Sequence, residues 1–487
     1  MNRPLRRVAV ACLVLFGLLL INVNARQTVL AGGYRDNERN SRVIVRTYER
    51  ERGSIALAGP GRPLVAKSVE TQGRLKYLRT YPTNDLYAHV TGFYSLIYGR
   101  DGLEQTEDQV LSGEDPRLFV ERLSDTLTGQ QPRGGDVVIT LQQAAQQAAY
   151  DGLKGKRGAV VALDPRTGAV LAMASAPAYD PNQLSSFEPK AIRDYRARLT
   201  ADGSGDPLLN RAISQTYPPG STFKVITAAA ALQNGVTPDT QIPSPTVLDL
   251  PQTSSDLRNF GGETCGNGTT SSLADALRIS CNTAFGQLGL TLGAETLRAQ
   301  AQAFGFGDNG LAVPERVAES DFPAGLDPAP LAQSAIGQRD VRVTPLQMAM
   351  VAAGIANGGT IMKPYTVREV QAPDLTRLSL AEPESYRQAV PREVADQLRA
   401  MMETVVTSGT GTSARIPGVR VAGKTGTAQN SPGADPHAWF IGFAPAQDPR
   451  VAVAVIVENG GNAGSEATGG RVAAPIARAV MQAVLGG

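Results

Sequence analysis

The longest uninterrupted apolar stretch of the chain lies at its start. Val8 to Ile21 carries no charge, and Arg3, Arg6 and Arg7 stand before it. A hydrophobic segment behind positive charge orients the rest of the chain out of the cytoplasm. The run is shorter than the ~20 residues that span a bilayer comfortably. Two readings stay open: a membrane anchor beginning nearer Leu5, with Asn22 and Asn24 in the interface, or a signal peptide cut after Val23-Asn24-Ala25. Cys12 reads as an apolar residue, because a lipid-bearing cysteine follows its apolar stretch and here most of the stretch follows the cysteine.

From Gln27 to about Arg133 the pattern is polar and mixed. It holds strand-like pieces such as Arg42-Val43-Ile44-Val45-Arg46 and no cluster of catalytic residue types. The expected organisation is a cytoplasmic stub and anchor over 1–25, then a small non-catalytic α+β pedestal over 26–135, with Gly134-Gly135 as a joint. The remainder, 136–487, alternates more regularly. Asp136 to Thr140 reads as a strand and Leu141 to Leu153 as an Ala/Gln-rich helix. Between Gly158 and Ser175, two apolar runs flank Asp164-Pro165-Arg166-Thr167-Gly168, the pattern of a tight β-hairpin. Ala438 to Phe443 and Val451 to Val457 form a second strand pair, and Arg471 to Leu485 a closing helix. A strand pair, then helices, then strands and a helix predict an α+β fold: an antiparallel sheet packed with helices, not a doubly wound parallel one.

Composition narrows the chemistry. At 487 residues, 42% hydrophobic and 19% charged, the chain is globular and long enough for two or three units. Its 47 basic and 45 acidic residues nearly cancel, which gives no reason to expect a nucleic-acid partner. The only histidines are His89 and His437, and neither stands in a nucleophile-elbow context; with three cysteines they are too few for a zinc site. No metal or other cofactor is expected, and the chemistry falls to Ser, Lys, Asn and backbone groups.

Three short motifs supply those groups. In Tyr217-Pro218-Pro219-Gly220-Ser221-Thr222-Phe223-Lys224 the prolines and glycine stop short of an alanine-rich helical run, so Ser221 falls at a helix start. Helical spacing then puts Lys224 beside its hydroxyl. An ordinary lysine is protonated and useless as a base, but apolar surroundings lower its pKa. Ser280-Cys281-Asn282, at the end of the helical segment Leu273 to Ile279, offers a proton-relaying hydroxyl and a carboxamide to hold a peptide backbone. Lys424-Thr425-Gly426-Thr427 lies inside the strand-like run Val419 to Gln429, where an extended peptide can pair and where Lys424, Thr425 and Thr427 can meet a carboxylate. Gly426 admits close backbone approach. The N–H groups of Ser221 and Thr427 would form an oxyanion hole. The bland alternatives are an N-cap serine and a snorkelling lysine. Against them, lysines are scarce, and Lys424 beside Lys224 would depress its pKa further.

The three motifs, in this order on a helix start, a helix end and a strand, resemble those of the penicillin-binding proteins and class A β-lactamases. Tyr217 to Lys224 looks like the nucleophile segment of class B penicillin-binding proteins, the D,D-transpeptidases. Gly337-Gln338, Val343 to Ala349, Ala356-Asn357-Gly358-Gly359, Ala172-Met173-Ala174, Pro181-Asn182 and Trp439 to Pro445 are similar to that family too, and Arg52-Gly53-Ser54-Ile55 more weakly so. The compact pedestal is most like the actinobacterial penicillin-binding protein A type. The resemblance implies the serine β-lactamase/D,D-transpeptidase-like fold and favours an uncleaved anchor in the cell membrane, single-pass, with the catalytic mass outside. It implies Ser221 acylated by peptidoglycan stem peptides ending in D-Ala-D-Ala and by β-lactams, in cell wall synthesis for division or elongation. It also implies a separate membrane glycan polymerase as partner. A class A β-lactamase would carry a Glu-x-x-Leu-Asn stretch, which is absent. A D,D-carboxypeptidase, a β-lactam sensor, which would need several membrane segments and an intracellular effector, and a dead scaffold are the other rivals. Outside the cytoplasm Cys265 and Cys281 can form a disulfide tethering a loop to the Ser280 motif, or remain as two buried thiols.

Overall fold

The structure is a computed structural model that describes residues 3–28, 41–59, 61–119, 127–129, 131, 133–429, 435–461 and 468–486. It opens with helix α1 (Arg3–Thr28), none of whose residues is buried and which is long and apolar enough to cross a membrane. The polar groups at its far end are satisfied within the helix. Asn24 Nδ2 donates to Leu20 O at 2.9 Å, Arg26 Nε to Asn22 Oδ1 at 2.9 Å, and Thr28 Oγ1 to Asn24 O at 2.7 Å. The helix therefore continues past Ile21 without stranding them.

Helix α2 (Ser41–Tyr48) corrects the strand expected over Arg42–Arg46. The β-branched residues there favour a strand by propensity, but packing decides. Buried Tyr48 lies with its ring 5.1 Å from Tyr94 and 5.4 Å from Phe187, and the last turn closes from Glu49 N to Val45 O at 2.9 Å.

Strands β1 (Ile55–Leu57), β2 (Leu64–Glu70), β3 (Tyr77–Thr80) and β4 (Asp136–Ile139) come after it. Next come α3 (Gln143–Leu153) and the expected hairpin, β5 (Gly158–Leu163) and β6 (Val170–Ala176). Then come α4 (Lys224–Gln233), α5 (Leu273–Arg278), α6 (Asn282–Leu292), α7 (Pro345–Ala356), β7 (Val367–Gln371) and β8 (Arg377–Leu380). The chain closes with β9 (Ala422–Ala428), β10 (His437–Ala444), β11 (Val451–Val457) and α8 (Ala474–Leu485). The closing helix is not the single run expected from Arg471; a π-turn over Gly469–Ala473 precedes it. Gly469 explains the departure: a Cβ there would sit 2.0 Å from Trp439 O, so the turn lies flat on the sheet.

One sheet is antiparallel throughout, in the order β9-β10-β11-β5-β6, as the pattern predicted. Both faces are covered. Helices α3 and α8 pack on one side and nearly fully buried α7 on the other, which is why Val451–Val457 is buried at every position instead of alternating. Strand β9 is an edge.

The second sheet runs β8-β7-β4-β1-β2-β3 and takes strands from both sides of residue 135. Its one parallel pairing, β1 with β4, brings the chain entering the pedestal beside the chain leaving it. Glycines allow the crossing: a Cβ on Gly53 would lie 1.9 Å from Gly135 O, and one on Gly134 1.8 Å from Leu111 O. Beneath it, fully buried Glu104 accepts Arg52 Nε at 2.6 Å and Arg79 Nε at 2.5 Å. Burial opposes ionisation of Glu104, yet the two guanidiniums outweigh it and hold the carboxyl below its ordinary pKa.

Asp101 of the pedestal and Glu315 of the larger unit hydrogen-bond each other, and Glu315 Oε1 accepts Gly102 N at 3.2 Å. Burial raises both pKa values; the neighbouring carboxyl raises that of Glu315 further, and Arg196 opposes the rise at Asp101. The folded pair binds protons more tightly than the unfolded chain. Its stabilisation is therefore full at ordinary carboxylate pKa values and below, and is lost as pH rises through the raised folded values. As pH rises above the ordinary carboxylate range, the thermal midpoint of the wild type should fall more steeply than that of Glu315→Gln, which keeps a hydrogen bond but does not titrate. Parallel slopes would remove the pair from the stability of the seam.

Candidate active site

The nucleophile segment is built from the backbone outward. Tyr217 and Val343 exchange two N–H···O bonds of 2.9 Å, and Trp439 Nε1 donates to Pro218 O at 3.0 Å. Gly220, at φ +52°, donates to Gly337 O at 2.9 Å; a Cβ on Gly337 would sit 2.1 Å from Gly220 O. Gly220–Phe223 then forms one 3₁₀ turn, and α4 begins at Lys224. Ser221 thus lies in the tight turn preceding the α-helix, a refinement of the expected helix start. In 3₁₀ geometry residues i and i+3 eclipse, so Ser221 and Lys224 project from the same side. Ser221 is half-buried, while Lys224 is fully buried.

Lys224 Nζ donates to Ser280 O at 2.6 Å and Asn282 Oδ1 at 2.7 Å, with Ser280 Oγ at 3.3 Å. Burial, and secondarily the Lys424 charge, pushes its pKa well below the usual lysine value. A neutral amine has two hydrogens and one lone pair. The two shortest bonds go to oxygens that have no hydrogen to give back, so both hydrogens are used and the lone pair is left to take a proton. Ser280 holds φ +65° at the junction of α5 and α6, a left-handed conformation rare outside glycine and enforced here by its carbonyl and hydroxyl partners.

Across the cleft, Lys424 on β9 is also fully buried, and burial lowers its pKa to about 7. Its Nζ donates to Ser280 Oγ at 2.8 Å and Thr425 O at 2.9 Å. The Ser280 hydroxyl therefore stands between the two amines. Strand β9 presses on the nucleophile turn: a Cβ on Gly426 would lie 3.0 Å from Pro219 O, and one on Gly220 2.7 Å from Thr427 O. All eight residues singled out in the sequence, Ser221, Lys224, Ser280, Asn282, Lys424, Thr425, Gly426 and Thr427, fall on these three adjoining elements. Among the described residues there is no cluster of His, Cys, Asp and Glu able to hold a metal ion.

The chain is similar to known proteins along its whole length. Residues 158–482 match the penicillin binding protein transpeptidase domain, and residues 52–137 the penicillin binding protein A dimerisation domain. The chain belongs to the penicillin-binding transpeptidase family. It is 52% identical to peptidoglycan D,D-transpeptidase PbpA of Mycolicibacterium smegmatis, over 100% of this chain and 99% of that one. It is 48% identical to PbpA of Mycobacterium tuberculosis strain H37Rv, over the whole of both. The M. tuberculosis penicillin-binding protein A in its ceftriaxone acyl-enzyme complex superposes with a TM-score of 0.88 at 47% identity, covering 91% of this chain and 100% of that one.

Two features of this penicillin-binding transpeptidase have no counterpart in the sequence motifs. Asn259 Oδ1 accepts the N–H of Asn282 at 2.8 Å and of Thr283 at 3.2 Å, capping α6, while Asn282 Nδ2 donates to Arg258 O at 2.9 Å. A loop thereby holds the carboxamide that holds Lys224. Thr410 Oγ1 lies 2.6 Å from Thr425 Oγ1 and fixes that hydroxyl from behind β9. Neither Asn259 nor Thr410 could be singled out from its neighbours; the N-cap role of Asn259 is discontinuous in sequence and has no local signal. The same loop is joined to the Ser280 motif by a disulfide between Cys265 and Cys281, whose Cα atoms are 6.1 Å apart. Alkylation of the unreduced, denatured chain should label Cys12 alone, and prior reduction should expose two more thiols; three labelled thiols without reductant would remove the bridge.

Proposed function

We propose that Ser221 is the residue through which this serine-type peptidoglycan D,D-transpeptidase is acylated. The observation that carries the proposal is the buried Lys224 amine, with both hydrogens committed to Ser280 O and Asn282 Oδ1. Lys224 takes the Ser221 proton as Oγ attacks the carbonyl of the penultimate D-Ala of a stem peptide. The tetrahedral oxyanion is held by the N–H groups of Ser221 and Thr427. The C–N bond breaks, the leaving D-Ala takes its proton through Ser280, and Ser221 is left as an ester. An amine from a neighbouring stem peptide then attacks that ester, and its departing proton returns to Ser221 along the same route. The edge strand β9 supports pairing with an extended donor peptide, with Lys424, Thr425 and Thr427 at its terminal carboxylate. A β-lactam opens on the same serine and stays.

Localisation and partners extend this reading. Arg3, Arg6 and Arg7 ahead of an uncharged segment favour a single-pass anchor in the cell membrane with the catalytic unit outside. The matched regions account for most of the chain beyond α1, which favours glycan strands supplied by a separate membrane glycan polymerase.

The full-length chain in detergent, incubated with a penicillin, should gain the mass of one intact antibiotic, and Ser221→Ala should gain none. An unshifted wild type would refute the assignment. Lys424 imposes the second expectation. Its cationic form, which grips a carboxylate, prevails below about pH 7, whereas Lys224 must be neutral to act as base. The second-order acylation constant should therefore fall on the alkaline side far below the usual lysine range. A rate that stays flat to pH 9 would separate Lys424 from carboxylate binding.

A further inference from the structure

The nucleophile segment is anchored at its start by a charge that none of the motifs contains. Glu458 lies just past the end of β11, with its side chain 10% exposed. Its Oε1 accepts both Tyr217 OH and Arg211 Nε at 2.8 Å, and its Oε2 forms an ion pair with Arg157 Nε at 3.1 Å. The carboxylate is itself fixed along the backbone, since Glu458 N donates to Arg157 O at 2.7 Å and Asn459 N to His437 Nδ1 at 3.0 Å. The Tyr217 ring is boxed edge-on by His437 at 5.6 Å and Trp439 at 6.2 Å, both on β10. Trp439 also donates to Pro218 O. Tyr217 therefore has its ring, hydroxyl and backbone all held by rigid elements.

We propose that Glu458 is a positioning residue for the acylation step, acting through the Tyr217 hydroxyl to set where the turn carrying Ser221 begins. The proposal rests on Ser221 being the acylated residue. Between Tyr217 and Ser221 stand two prolines and a glycine. The prolines fix φ, so a displacement at Tyr217 is passed along the segment instead of being absorbed. Its stop is the Gly220–Gly337 contact, which tolerates no added atom. A lateral shift at Tyr217 consequently moves Ser221 relative to the Lys224 amine, which is held by Ser280 and Asn282, and to the Thr427 N–H on β9. Small misplacements of a reacting atom are expensive in rate. Arg211, 1% exposed, needs the same carboxylate, so the phenol and guanidinium hold it from two directions. A carboxylate supplies this junction better than an amide because it accepts from Tyr217 and Arg211 and pairs with the Arg157 charge without carrying hydrogens of its own.

The test is a double-mutant cycle on the full-length chain in detergent, with a fluorescent penicillin and stopped-flow resolution of prior binding from acylation. Tyr217→Phe removes one oxygen; Glu458→Gln keeps the shape and loses the charge. Each should lower the acylation rate constant about tenfold, the scale of one charge-assisted hydrogen bond, at unchanged prior binding. The double variant should lose no more than the weaker single variant, because both act through one bond. Wild-type acylation in Tyr217→Phe, or losses that multiply in the double variant, would overturn the positioning role, as would reduced thermal stability with an unaltered rate constant. Should either variant fail to fold, the other alone decides by its split between binding and acylation. A wild type that forms no adduct sinks the Ser221 assignment and this proposal together, whereas a normally acylated wild type with unaffected variants sinks this proposal alone.

Discussion

Everything in the cleft depends on removing a lysine amine from water. Lys224 is wholly enclosed, and desolvation of an ammonium is costly enough that the group sheds its proton unless a counter-charge is at hand. None is offered: its nearest partners are a carbonyl, a carboxamide and a hydroxyl, and the next charge is another cation. That choice of partners sets the protonation state, and the protonation state sets the chemistry. A carboxylate in place of Asn282 would have made an ion pair and a poor base.

The enclosure is achieved by backbones that come closer than side chains permit. The nucleophile turn leans on Gly337, the edge strand meets the turn at Gly426, and the closing π-turn lies on the strand through Gly469. Each contact fixes the separation of two elements that carry reacting groups. Rigidity of this kind substitutes for a dense polar network: Ser280 Oγ bridges two amines only because α5, α6 and β9 are already at their final distances.

Much of this was legible because it is local. The hairpin over Gly158–Ser175 announces itself by Asp164 to Gly168, where Gly168 at φ +83° closes the turn. The prolines before Ser221 stop the α-helix within a turn of where the sequence placed its start, and Lys424 to Thr427 reads as a strand and is one. Failures came where distant chain decides. Val43, Ile44 and Val45 have the composition of a strand, yet the segment is helical because Tyr48 is held by Tyr94 and Phe187. Asn259 and Glu458 look like ordinary polar residues, since each acquires meaning only from an element far away in sequence. The depressed pKa of Lys424 could not be read either, because burial is a property of the assembled sheet.

The second sheet has a bearing on modularity. Its strands β1 to β3 belong to the pedestal, whereas β7 and β8 come from a chain segment more than two hundred residues later, joined through β4 at the crossing. The two units are thus woven rather than strung. A graft that exchanged residues 52–137 between relatives would cut through β4 and set three grafted strands beside a native β7 and β8. Recombination should accordingly respect the pair as one heritable block, with the pedestal and the 367–380 hairpin changing in concert.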